Sequence, residues 1–358
     1  MPTLSHEAIY TIAREVLGAA GASDVHASVV GRHLADANMA GHDSHGFLRI
    51  PQYVKEIDDG VIDPKSSPAV VRENAAVAHV DGHGTFGQVV AGFALDLGMQ
   101  KAREHGIALV NMCNLGHTGR VGTYPERAAR EGMAAIMCTG FVGGHSAINL
   151  APFGGRERRL GTNPIAMSFP SSGDSPVLLD FATSIAAEGK LRVYKAKGEM
   201  LPDEWVLDKN GVPSRDPNDY YEGGSLLPIG GVLGGHKGYA LSFMVALFGA
   251  VMGGIACPGG DVKSQLSGST IIVMDVGGMA PIDEVGARVD EVVDYVKSTP
   301  LAEGSSGILY PGEMEARSRR QRLKTGVPVA DATWDEVSQV IDRFNLTEKL
   351  GPLAAGPA

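Results

Sequence analysis

Cysteine is scarce in this chain. Only Cys113, Cys138 and Cys257 occur in 358 residues, and they are far apart and odd in number. That spacing excludes a disulfide framework and a CxxC zinc site, and reduced thiols fit a cytoplasmic protein. Aromatic residues make up 6% and charged residues 20%, with no long basic block and a net charge of −10. A nucleic-acid binder needs a basic stripe, so that class is excluded. Long apolar runs are missing too. The most apolar stretch, 239–252, is too short and too glycine-flanked to cross a bilayer. The opening MPTLSHEAIY carries acidic and polar groups where a secretory leader is apolar.

Glycine, by contrast, is in excess. Its 48 residues are about 13% of the chain, against a usual share of about 7%. They show no three-residue period, which excludes collagen, and 44% hydrophobic content supports a sizeable core. The length suggests two domains or one large one.

Periodicity organises the chain. Ile9, Ile12, Ala13, Val16 and Leu17 recur at helical spacing. Ser23 is a good N-cap for a second helix running to Met39, with Gly41 past its end. After the turn HDSHG a short helix runs to Ile57. Strands are expected at 69–71, 76–80, 107–112, 133–139, 165–169, 177–181 and 269–275. Helices are expected at 86–104, 119–130, 183–194, 238–251 (apolar and packed on most sides), 284–297 and from a capping box at Thr333 and Glu336 to Phe344. The tail GPLAAGPA reads as disordered. Alternating strands and helices define an α/β protein.

Gly82-His83-Gly84-Thr85-Phe86-Gly87 spells G-x-G-x-x-G between a strand and a helix, the form of a dinucleotide fingerprint. Such a site also needs an acid at the end of the next strand for the ribose hydroxyls. That strand is followed by Cys113, Asn114 and Leu115, so we read 82–87 as a tight turn. Gly231 to Lys237 likewise fails as a Walker A loop, lacking glycine before the lysine and Ser/Thr after it.

Five segments carry candidate chemistry. In His42-Asp43-Ser44-His45-Gly46-Phe47-Leu48-Arg49, a histidine suits proton transfer and an arginine offers a bidentate fork for a carboxylate. If the segment is helical, His45 and Arg49 share a face, a combination suited to a 2-oxo acid. The competing readings are a helix cap with solvated histidines, or a metal site using His42 and His45. Gly116-His117-Thr118-Gly119-Arg120-Val121-Gly122 follows a strand, where α/β ligands bind. There Thr118 is a possible cap and Arg120 adds charge; an ordinary capped loop is the alternative. Gly161-Thr162-Asn163-Pro164 and Leu179-Asp180-Phe181-Ala182-Thr183-Ser184 are weaker, each explicable as a turn or cap. Lys237, in Gly235-His236-Lys237-Gly238, sits at an expected helix start against the macrodipole, which suggests an anion partner. Pro311-Gly312-Glu313-Met314-Glu315 opens a helix whose Arg317, Arg319, Arg320 and Arg322 read most simply as a solvated face.

Taken together, DSHGFLRIPQY, NLGHTGRVG, APFGG…LGTNP, LDFATS…GK, GGHKGYAL and LYPGE, in that order over residues 4–345, resemble the type-2 malate/L-lactate dehydrogenases. AGHDSHG, GTNP and HKGYAL look closest to the hydroxycarboxylate dehydrogenase B branch. The resemblance implies a large mixed β-sheet that binds NAD or NADP without a Rossmann fold, flanked by helices, with a helical domain from both termini. In this chain that division falls at 1–75 with 283–350 for the helical, substrate-side domain, 76–282 for the cofactor-binding sheet, and 351–358 for the tail. It also implies a homodimer. His45 matches the family's active histidine, with Ser44 its neighbour in the relay, and His117 matches a second functional histidine of some relatives. Arg49 matches the substrate arginine, with Thr162 and Asn163 as further candidate contacts. Cofactor contacts map to His45, Gly119, Arg120, Val121, Leu178, Leu179, Asp180, Phe181, Ala182, His236, Lys237, Gly312 and Glu313. The expected activity is hydride transfer between a nicotinamide and C2 of a small 2-hydroxy or 2-oxo acid. The alternatives are a cyclic 2-imino acid reductase on the same scaffold and, from a different class, a metal-dependent hydrolase using His42, Asp43 and His45.

Overall fold

A computed structural model describes residues 2–142, 148–173, 175–254 and 266–355. Gly143, Gly144, Cys257 and residues 356–358 lie outside it.

Both chain ends contribute to a helical layer. Strand β1 (Thr3–Leu4) leads into α1 (His6–Ala19) and α2 (Asp24–Met39). Ser5 Oγ caps α1 by accepting from Ala8 N (3.0 Å), and Ser23 Oγ caps α2 by accepting from His26 N (3.2 Å). The expected stripe Ile9, Ile12, Ala13, Val16 and Leu17 is fully buried. It packs on Val30 and Leu34 of α2 and on Tyr53 and Val54 of α3 (Ile50–Asp58).

The central sheet follows. Strands β2 (Ala69–Glu73) and β3 (Val77–Asp81), helix α4 (Gly87–His105), strand β4 (Ile107–Leu115), helix α5 (Thr123–Arg130) and strand β5 (Met133–Gly140) come in order. Then come β6 (Ile148–Leu150), β7 (Leu160–Gly161), β8 (Ile165–Phe169), β9 (Val177–Phe181), α6 (Glu188–Lys197), β10 (Val206–Leu207), β11 (Pro213–Ser214), α7 (Pro217–Tyr221), β12 (Ser225–Leu226), α8 (Gly231–Ala246) and β13 (Ser267–Asp275). Seven strands form one sheet in the order β2-β3-β4-β13-β5-β8-β9. Only β3 and β4 run parallel; every other adjacent pair is antiparallel. A doubly wound Rossmann sheet is parallel throughout its core, so this is a mixed, non-Rossmann α/β fold. A smaller sheet, β11-β10-β12-β6-β7, encloses its own core around Leu150, Leu191, Val206 and Leu226.

The chain closes with α9 (Ile282–Lys297), α10 (Glu313–Thr325), β14 (Val327–Pro328), α11 (Asp331–Arg343) and α12 (Thr347–Leu350). Strand β14 pairs antiparallel with β1, and Val327, Val337, Ile341 and Leu350 complete the helical core. Helix α9 instead packs at the end of the large sheet, where Gly286 meets the Ser171–Ser172 backbone.

Several boundaries differ from expectation for local reasons. Helix α5 starts at Thr123, because Gly119 has φ +71 and interrupts any helix. Thr118 caps nothing; its carbonyl accepts the Tyr124 hydroxyl (2.6 Å). Helix α6 starts at Glu188 rather than Thr183, whose hydroxyl is tied to the carbonyls of Thr162 and Asn163 (3.0 Å each). Helix α8 starts at Gly231, and Gly238 lies within it, where a Cβ would stand 2.1 Å from the Ile229 carbonyl oxygen. The helix continues as a π-helical turn, Leu247–Val251. Far from packed on most sides, it exposes Leu233, Phe243, Met244, Phe248 and Met252. Helix α11 begins after Ala330, so Thr333 falls in its first turn and forms no capping box. Residues 351–355 form a 3-10 turn, with Leu353 against the helical core, rather than a disordered start to the tail.

Candidate active site

The 82–87 glycines serve the chain itself. Gly82 N and Gly84 N donate to the carbonyls of Cys113 and Asn114 (2.8 Å each). A Cβ on Gly87 would lie 2.2 Å from the Gly116 carbonyl oxygen. The space a pyrophosphate needs is occupied by the backbone of residues 113–117, so the fingerprint is a packing turn.

The residues Asp43–His45 and Phe47–Arg49 form two single 3-10 turns, separated by Gly46. Gly46, at φ −104 and ψ −139, lies outside the helical region, so the two turns do not join into one helix. A Cβ at Gly46 would lie 2.1 Å from Asn38 Oδ1, the atom that accepts the Phe47 N–H (2.7 Å). His45 and Arg49 are therefore neighbours through a folded-back side chain, not through a shared helical face. Arg49 Nε donates to the Ser44 carbonyl (2.7 Å), and Nη1 donates to Gln52 Oε1.

His45 is half-buried. Its Nδ1 lies 3.0 Å from Ser44 Oγ, and its Nε2 has no hydrogen-bond partner among the described residues. The ring stacks on His117, with centroids 5.5 Å apart and planes 12° apart. Burial, then the charges of Arg49, His42, His33 and Arg120, push the imidazole down from 6.5 to about 3. At neutral pH it is uncharged, with a free ring nitrogen that accepts a proton only weakly. His117 Nδ1 lies 2.9 Å from the Tyr53 hydroxyl, which receives Gln88 Nε2 (2.7 Å). Burial pushes the Tyr53 phenol up, so it stays protonated and donates to His117 Nδ1.

The Gly119–Val121 loop lies against α2. His33 is fully buried, accepts the Arg120 N–H at Nε2 (2.9 Å) and stacks on Tyr124. Burial, and then the Arg120 charge, push His33 down to about 4. A Cβ on Gly119 would stand 2.2 Å from His33 Nε2, so only glycine fits. Arg120 is buried rather than extended into solvent. Its Nη1 donates to Glu126 Oε2 (2.8 Å), and its Nε lies 3.3 Å from Asp180 Oδ2. Burial opposes ionisation of Glu126, but Arg120, Arg319 and Arg130 outweigh it and hold the carboxyl at about 2. Burial pushes Asp180 up despite Arg120. Among the described residues Arg120 Nη2 has no hydrogen-bond partner, which is costly for a buried polar atom.

The remaining candidates divide. Leu178 and Val121 are buried, and Leu179, Asp180, Phe181 and Ala182 lead from β9 toward Arg120. Asn163 is fully buried with its amide engaged, Oδ1 to Phe141 N (2.8 Å) and Nδ2 to Ser242 (3.2 Å). It holds the loop rather than facing a substrate. The Thr162 carbonyl anchors Thr183 N (2.8 Å). His236 and Lys237 are exposed, and Lys237 is the seventh residue of α8, so the expected opposition to the dipole does not arise. His236 packs edge-on against Phe153. Gly312 (φ +94) fits against Leu178. Glu313 is buried; burial opposes its charge, yet Lys297 (2.7 Å) and Arg317 (2.6 Å) hold its carboxyl below the usual range.

Sequence reasoning missed His33, Tyr53, Gln88 and Glu126. Tyr53 was inside a quoted motif, four residues after Arg49. His33 and Gln88 read as ordinary polar positions of helices, and only their burial reveals them. Among the described residues no three His, Cys, Asp or Glu converge to hold a metal. His42 is paired with Glu315 and Asp43 with Arg322, so the hydrolase set does not assemble. No helix among the described residues is long and apolar enough to cross a membrane.

A neutral imidazole beside a guanidinium, on a mixed α/β sheet, is equipped to move a proton on a carboxylate-bearing molecule. The chain belongs to the malate/L-lactate dehydrogenase family, whose model matches residues 4–338. It is 35% identical to hydroxycarboxylate dehydrogenase B of Escherichia coli over 351 residues, 96% of this chain and 94% of that protein. It is similar in structure to malate dehydrogenase of Entamoeba histolytica (TM-score 0.90, 28% identity, 96% and 98% of the two chains). It is also similar to delta1-piperideine-2-carboxylate reductase of Pseudomonas syringae (TM-score 0.81, 28% identity, 95% and 100%).

Proposed function

We propose that this protein is an NAD(P)-dependent 2-hydroxycarboxylate dehydrogenase acting on a small malate- or lactate-like acid and its 2-oxo form. The observation that carries the reading is His45, neutral, stacked on His117 and flanked by Arg49. A nicotinamide, when bound, supplies or accepts the hydride at C2. The residues fit such a group: among the described residues buried Arg120 keeps its Nη2 without a hydrogen-bond partner, as a site that takes a polar acceptor would. Arg120, Gly119, Val121, the Leu178–Ala182 segment, His236, Lys237, Gly312 and Glu313 are the candidates to hold it.

His45 Nε2 takes the hydroxyl proton in oxidation and returns it to the developing alkoxide in reduction. Proton transfer of this kind contributes typically about 10²–10⁴-fold. Ser44 orients the ring through Nδ1, and His117, aligned by Tyr53, backs its face. Arg49 receives the substrate carboxylate; among the described residues its Nη2 has no partner. Thr162 is a secondary contact at most, and Asn163 acts through the loop it ties. In this reading the helical domain of 1–75 with 283–350 is the substrate side, and the sheet of 76–282 the cofactor side.

A homodimer completes the reading. Helix α8 presents apolar side chains to solvent, as a subunit interface would. Cys113 and Cys138 are free thiols that burial pushes up to about 11, in keeping with a reducing cytoplasm.

The likeness to the piperideine carboxylate reductase supports a second reading, reduction of a cyclic 2-imino acid. One panel separates the two. Pyruvate-type 2-oxo acids and a piperideine-type substrate are offered with NADH and with NADPH, and loss of nicotinamide absorbance is followed. Turnover of a 2-oxo acid is expected; turnover of the imine alone would replace the first reading with the second.

A further inference from the structure

Helix α10 turns one stripe inward, although its Arg317 and Arg320 stay exposed. Glu315, Ser318 and Arg322, spaced by three and four residues, share one stripe; Arg322 grips the turn that carries His45, Glu315 its leading residue His42, and Ser318 the end of α2 before it. Glu315 Oε1 lies 3.1 Å from His42 Nε2. Ser318 Oγ donates to the Met39 carbonyl (3.1 Å). Arg322 places Nη1 and Nη2 on the two oxygens of Asp43 (2.5 and 2.8 Å), and Nη1 also donates to the Asn38 carbonyl at the end of α2. Asn38 Nδ2 donates to the same Asp43 carboxylate (2.6 Å), while its Oδ1 accepts from Phe47 N (2.7 Å).

The turn has little structure of its own. It consists of two single 3-10 turns without side-chain caps, joined at a glycine, and pieces that short have poor hydrogen-bond geometry. Its placement therefore comes from the groups that grip it, and Arg322, with an Asp43 carboxylate in a two-pronged contact, is the most directional of them.

We propose that Arg322 is a positioning residue: its fork on Asp43 fixes the 43–47 turn and so the placement of His45 Nε2. The proposal rests on the reading of His45 as the proton-transfer group. The lever is geometry rather than charge, because the charges acting on His45 come from Arg49, His42, His33 and Arg120 and not from Arg322. Asp43 is half-exposed, so an ordinary ion pair there would contribute little. What the fork supplies is direction.

The test compares Arg322→Lys, Arg322→Met, Asp43→Asn, the Arg322→Met/Asp43→Asn double variant and His45→Ala in the full-length enzyme. It measures kcat, KM for the 2-oxo acid and for the reduced cofactor, the pH profile and thermal unfolding. Lysine keeps the charge but cannot form the fork. Arg322→Lys is therefore expected to lower kcat about ten- to hundred-fold, with cofactor KM within about two-fold, as misplacement of a reacting group does. The double variant is expected to be no worse than the worse single variant, since both remove one contact. If Arg322→Met does not fold, Arg322→Lys decides. Wild-type kcat in Arg322→Lys, or a displaced pH profile in it, with kcat lost in His45→Ala, would overturn the positioning role alone. Wild-type kcat in His45→Ala would overturn the underlying reading of the site.

Discussion

The low proton affinity of His45 makes a sharp kinetic prediction. Its displacement from 6.5 to about 3 corresponds to roughly 5 kcal/mol against the imidazolium. At pH 7 about one molecule in 10⁴ then carries the proton that reduction of a 2-oxo acid requires. With cofactor saturating, kcat/KM for the 2-oxo acid reports the protonation state of the enzyme before that substrate binds. It is expected to rise about tenfold for each pH unit from 8 down to 5. In the direction of oxidation, which uses neutral His45, kcat/KM should show no histidine inflection over that range. The assay is initial-rate nicotinamide absorbance in buffers of constant ionic strength. A reduction profile that levels off below pH 6.5 would refute the reasoning, because it would place an ordinary, solvated histidine in the acid role.

Other outcomes follow from the same geometry. Arg49→Lys should raise KM for 2-oxo acids several-fold or more, since a fork is replaced by a point charge; an unchanged KM removes Arg49 from the carboxylate contact. Gly119→Ala places a methyl 2.2 Å from His33 Nε2 at φ +71. It should cost about 2–4 kcal/mol, from left-handed strain and the lost Arg120 hydrogen bond, and should weaken cofactor binding measured by nicotinamide fluorescence. Unchanged unfolding temperature and affinity would show that the loop is not so confined. His33 is held neutral at about 4, so the unfolded chain binds its proton more readily. The stability this contributes is complete above pH 6.5 and is lost as pH falls toward 4. By pH 5 the loss is about 2 kcal/mol. The stability difference between wild type and His33→Gln, from urea melts at pH 7.5 and 5, should shrink by that amount. A constant difference would mean that His33 is not buried neutral.

Much of this was legible in the sequence. Apolar spacing gave α1 and the Ser23 cap gave α2, because local signals and packing agree there. The missing ribose acid was sufficient to discount Gly82–Gly87, and the fold explains why glycines stand there: they admit the backbone of 113–117. The parts that were not legible depend on distant partners. Nothing near Arg120 in the chain indicates a buried network with Glu126, Asp180 and Arg319, and Arg322 lies 279 residues from Asp43. Helix spacing also misjudged the SHG segment, because the backbone leaves the helical region at Gly46 (φ −104, ψ −139). The arginines of α10 read as solvated because a charge run is usually so, yet Arg317, Arg319 and Arg322 all have carboxylate partners.

The most direct test of the account is His45→Ala, assayed for reduction of the best 2-oxo acid with the preferred cofactor. The account predicts a fall in kcat of about 10²–10⁴-fold, with the dissociation constant of the reduced cofactor essentially unchanged. Wild-type turnover once cofactor is saturating would contradict it.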